Sequence, residues 1–137
     1  MTKEAYCSYE ISKLLKKKGF NSPCHAIWYD DRIVLLAHLI DNDSLLLTDE
    51  YKFSIQKESL ITIPTHQMAC DWLRDIHKVL IVIDAYHADH WEGYIDSYEI
   101  SIYSHASTII VPNEIAHHTD YTEAVEVALK YSIENLI

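Results

Sequence analysis

Apolar residues near the start of the chain recur at helical spacing: Ile11, Leu14 and Leu15. They predict a first helix from about Ser8 to Lys18. Gly19 stands where a left-handed residue closes such a helix, with Phe20 folding back as the apolar lock. Asn21-Ser22-Pro23 signals a turn. Cys24 to Tyr29 and Arg32 to His38 then read as two strands joined at Asp30-Asp31, an antiparallel hairpin. Asp41 to Ser44 is a loop. Leu45 to Ile63 holds two short apolar runs, which fit short strands or an ordered excursion equally well.

The second half has clearer periodicity. Pro64 ends an extended segment and Thr65 suits an N-cap. Met68, Ala69, Trp72, Leu73 and Ile76 form one stripe, so a helix is expected from His66 to His77. Val79 to Tyr86 reads VLIVIDAY, the pattern of a central strand buried on both faces. His87 to Gly93 is the turn, and Tyr94 to Ser104 alternates as the returning strand. Thr108 to Val111 adds a short strand before Pro112. Asp120 and Glu123 make a capping-box pattern, followed by an apolar face of Ala124, Val127, Ala128, Tyr131 and Leu136. The order is α-ββ-α-ββ-α. It predicts an α+β fold with helices packed on a twisted, mainly antiparallel sheet. With 137 residues and no repeat or linker, a single domain over 1–137 is expected.

Composition narrows the chemistry. Gly19 and Gly93 are the two glycines, too few for a phosphate-cradling loop, a dinucleotide fingerprint or a glycine-flanked nucleophilic serine. Cys7, Cys24 and Cys70 are odd in number and lack CxxC spacing, as buried free thiols of a reducing compartment would be. No apolar run reaches the ~18 residues of a membrane span, and the N-terminus lacks a signal-peptide core. A cytoplasmic protein with no membrane partner and no cofactor is expected. The formal charge of -10 repels phosphate, so general nucleic-acid binding is not expected. Lys13, Lys16, Lys17 and Lys18 form the one dense basic patch, on the solvated face of the first helix.

Nine histidines are the first chemical feature to test. Asp84, His87 and His90 cluster in DAYHADHWEG, and His117 is a candidate fourth group for a metal-dependent hydrolase. The spacing matches no recognised zinc motif, and solvated turn histidines are the plainer reading. His66, Asp71 and Asp75 on the second helix are formal acid–base candidates, and Cys70 with a distant histidine a formal nucleophile. Polar residues on the solvent face of an amphipathic helix need no such role. Aromatic residues are the second feature. Trp28, Tyr29, Tyr86, Trp91 and Tyr94 lie on or beside the hairpins. Sheet packing favours aromatics, and so do protein–protein interfaces.

Three segments carry a resemblance: SYEISKLLKKKGF (residues 8–20), IPTHQMACDWLRDIHKVLIVI (63–83) and DYTEAVEVALKYSIENLI (120–137). Together they resemble a group of small proteins encoded by Bacteroidetes phages, prophages and related mobile elements. In that group a helix ending in KGF, a central PTxQxAxxWLRE-like helix and a C-terminal YEEAVEAALKYALENL-like helix follow in this order. The likeness covers somewhat over a third of the chain. Cys24 to Ser54 and Tyr86 to His118 depart from the pattern, and there a binding specificity would vary. The motif residues read as core and caps, so the resemblance implies no catalytic group. The leading expectation is a non-catalytic accessory protein of a phage or mobile element that works through protein–protein contacts at the aromatic hairpins, with a homodimer as one form. The metal-dependent hydrolase and an acidic mimic of nucleic acid that blocks a host protein are the alternatives.

Overall fold

In the computed structural model the described residues are 5–29, 32–35, 61–86 and 97–137. Their contacts group the chain into two compact units, Met1–Thr65 and His66–Ile137. Helices and antiparallel sheets make up both, an α+β fold.

In the first unit, α1 spans Tyr9–Lys17. Ser8 caps it, its Oγ accepting from the Ile11 amide at 3.2 Å. The helix closes on Gly19 at φ 97°. The Gly19 amide donates to Lys16 O at 3.1 Å and the Phe20 amide to Leu15 O at 2.9 Å. Those are the two bonds of a Schellman close, and Phe20 is buried as its apolar lock. Ile11 and Leu15 are buried while Lys13, Lys16, Lys17 and Lys18 face solvent, as the spacing predicts. Strands β1 (Ala26–Tyr29), β2 (Arg32–Leu35) and β3 (Ile61–Ile63) pair antiparallel in the order β2-β1-β3, and α1 packs on β3. The core holds Ile11, Leu15, Ile27 and Ile63. The Cys7 amide donates to Pro64 O at 3.0 Å, which ties the segment before α1 to the end of β3. Cys7 and Cys24 are buried thiols outside any disulfide, Cys24 Sγ donating to Ser22 O at 3.3 Å.

The second unit runs α2 (His66–His77), β4 (Val79–Tyr86), β5 (Ser97–Ser104), β6 (Ser107–Ile109), α3 (Asn113–Ala116), β7 (His117–His118) and α4 (Tyr121–Asn135). β5 pairs with β4, β6 and β7, all antiparallel. Among the described residues β5, and not β4, is thus the central strand. The apolar run of β4 is correspondingly only part-buried: Val79 is inside, but Leu80 is 43% exposed. α3 and β7 were not expected from the sequence. The final helix lies against β4 and β5, and α2 packs beside it.

Both helices present a different face from the one that apolar spacing alone predicts. α2 buries His66, Ala69 and Leu73, while Ile76 is 62% exposed and Trp72 half-buried. The buried line is rotated because a polar residue, His66, lies inside. α4 buries Val125, Leu129 and Ile133 beside a small-residue line of Ala124, Ala128 and Ser132. Val127, Tyr131 and Leu136 are only part-buried. The small line lets the helix approach closely, and the bulky line fills the core. Burying a side chain such as Leu129 stabilises by roughly 1.5–3 kcal/mol before ordering costs.

Candidate functional site

The alternation of a strand decides what the second unit offers to solvent. Tyr98 on β5 meets Tyr121 of α4, ring centroids 5.5 Å apart and edge to face. Ile100 and Ile102 are buried. The even-numbered residues of β5 therefore face α4. Glu99, Ser101 and Tyr103 point to the opposite face and are half-buried.

Register fills in that opposite face. Leu80 pairs with Tyr103, and Tyr103 with Thr108. Val82 pairs with Ser101. Asp84 pairs with Glu99, and Glu99 with His117. Directly paired residues share a face, so these make three rows across the sheet. Two rows are apolar or neutral and the third carries two carboxylates and an imidazole. Ile110, one residue past β6, is 89% exposed.

This places some of the residues singled out from sequence. Asp84 and His117 are exposed and flank Glu99, which that reading missed. His87, His90, Trp91 and Tyr94 lie outside the described residues. Tyr86 pairs with Ser97 at the end of β4, and Tyr29 with Arg32 in the hairpin of the first unit. Trp28 is half-buried and its ring meets Tyr9 edge to face at 5.9 Å. Its Nε1 is enclosed without a hydrogen-bond partner. That geometry is packing within the first unit rather than a freely presented anchor.

The acid–base candidates separate clearly. His66 is buried, with Nε2 2.8 Å from Glu126 Oε2 on α4. Asp71 and Asp75 stay on the outer surface of α2 with Arg74, at 3.2 and 2.8 Å. The Arg74 hydrogen bond and charge hold Asp75 below the usual carboxylate range, and Asp75 in turn raises the guanidinium. Such exposed pairs contribute little to stability. Burial, with the Asp71 charge adding, pushes the Cys70 thiol up to about 11. At neutral pH it is protonated and poorly nucleophilic.

Charge is divided unequally along the chain. Residues 66–137 carry three Lys/Arg against twelve Asp/Glu, net -9, whereas residues 1–65 carry eight against nine. Nearly all the net negative charge belongs to the second unit. No helix among the described residues is long and apolar enough to cross a membrane. No protein-family model, curated protein or solved structure matches this chain.

Proposed function

We propose that this chain is an accessory protein of a phage or mobile element that works through protein–protein contacts, and that its second unit meets a basic protein partner. The observation that carries this reading is the net charge of -9 on residues 66–137. An acidic surface steers cationic partners and repels nucleic acid and other acidic proteins. Exposed apolar residues in the same unit, Ile76, Leu80 and Ile110, supply the area that charge alone does not. A direct test titrates a Lys/Arg-rich peptide into the full chain at low and high salt, with duplex DNA as control. Saturable peptide binding that weakens about tenfold at high salt is expected, because exposed charges are screened. Absence of saturable binding at low salt overturns the reading.

The metal-dependent hydrolase is the alternative reading. Asp84, Glu99 and His117 share a row, but their ligand atoms do not gather within 4.8 Å of one another as a metal site requires. Elemental analysis of protein purified without a His-tag decides it, and sub-stoichiometric metal ends it.

A further inference from the structure

The sheet face turned away from α4 has two chemically distinct ends. One end holds Leu80, Val82 and Tyr103, with Ile110 beside β6. The other holds Asp84 and Glu99, with His117 across from Glu99. Leu80 and Asp84 lie on the same side of β4, about 13 Å apart at the ~3.3 Å rise of a strand. Among the described residues neither carboxylate has an ion-pair partner. The nearest basic groups in sequence are engaged elsewhere: Arg74 with Asp71 and Asp75, and Lys78 Nζ with the Asp75 carbonyl at 3.0 Å.

We infer that this face docks an amphipathic, Lys/Arg-bearing segment of a protein partner. Its apolar side chains lie on Leu80, Val82 and Tyr103, and its cations reach Asp84 and Glu99. The inference rests on the proposed basic partner and goes further by naming the surface. Charge complementarity selects this occupant. A second copy seated face to face would bring a unit of the same net charge, -9, against the first. Like charges opposed at an interface cost affinity. A purely cationic segment without an apolar stripe would leave Leu80 and Ile110 in water.

The experiment uses the full chain, labelled with ¹⁵N, and a synthetic Leu/Lys peptide of about 14 residues with its leucines on one helical face (roughly four turns). A scrambled peptide of the same composition lacks the stripe. Binding is followed by amide shift changes and by calorimetry. Saturable binding is expected, with shifts at Leu80, Val82, Ser101 and Tyr103. The scrambled peptide, Leu80→Lys and Glu99→Lys should each weaken it about tenfold. Leu80 is exposed and Glu99 half-buried, so Asp84→Asn/Glu99→Gln serves as a conservative second variant, expected to weaken binding in the same direction. Circular dichroism checks that each folds. Binding that maps to the outer faces of α2 or α4 and ignores these variants overturns the docking surface while leaving the basic partner intact. No saturable binding by either peptide overturns both. A wild-type dimer in sedimentation that Leu80→Lys dissociates identifies a second copy as the occupant, and overturns the inference.

Discussion

His66 Nε2 lies 2.8 Å from Glu126 Oε2, joining the first turn of α2 to the second turn of α4. His66 is only 7% exposed. The imidazole left water to meet the carboxylate, so removing Glu126 leaves His66 with an unmade hydrogen bond. His66→Ala or Glu126→Ala should each destabilise the protein by roughly 1–3 kcal/mol. The double substitution should cost less than the sum. A double-mutant cycle by urea denaturation measures this coupling, and strictly additive effects would show that the pair does not hold the helices together.

Ala106 occupies a backbone conformation that suits glycine. β5 and β6 are joined by His105 and Ala106 alone, at φ 51° and 67°. Two positive φ values in a two-residue connection are those of a type I′ turn, which favours Asn-Gly. The Cβ of alanine opposes this geometry. Ala106→Gly should therefore stabilise by about 0.5–1 kcal/mol, despite the extra freedom of glycine in the unfolded chain. An unchanged or lowered midpoint in thermal melting would contradict the assignment.

Ser132 is fully buried on α4 and its Oγ has no hydrogen-bond partner. Ser132→Ala removes an unsatisfied hydroxyl, keeps the small-residue line with Ala124 and Ala128, and raises helix propensity. A gain of about 0.5–1.5 kcal/mol is expected. Ser132→Val should instead destabilise by about 1–3 kcal/mol, because the added bulk meets the packed face. Paired chemical denaturation of the two variants checks both signs, and a stabilising valine would mean that the helix does not approach closely there.

The helix caps were legible because each is a local event. Ser8, Gly19 and Asp120 act on backbone groups within a few residues, as the bonds to Ile11 and Thr122 and the close on Leu15 and Lys16 illustrate. The facing of α2 and α4 was not legible. A stripe drawn from apolar residues alone leaves out His66 and Ser132, and tertiary packing puts both inside. Glu99 was missed for a reason of register. A hairpin closed by His87–Gly93 alone would set Asp84 opposite Asp96, whereas the pairing sets it opposite Glu99. An odd shift in pairing exchanges the faces of the returning strand, and alternation within one strand cannot reveal it. The acidity of the later elements was readable directly from residue counts, because charge needs no register.

The chemistry of the Cys70 thiol is altered by its surroundings. Burial and the neighbouring Asp71 raise it from 9.0 to about 11, against a smaller opposing effect of Arg74. The folded state thus holds the thiol proton more tightly than the unfolded chain does. The resulting stabilisation is fully present below about pH 9 and is lost as pH rises through about 11. Alkylation by iodoacetamide, followed by peptide mass spectrometry to resolve Cys70 from Cys7 and Cys24, should show slow modification of Cys70 at pH 8. Its rate should keep climbing beyond pH 10, where a free cysteine peptide has already levelled off. Asp71→Asn should shift the Cys70 profile to lower pH, because it removes the repelling charge while leaving the burial that dominates. A Cys70 profile that levels off near pH 9 would show that the thiol is solvated.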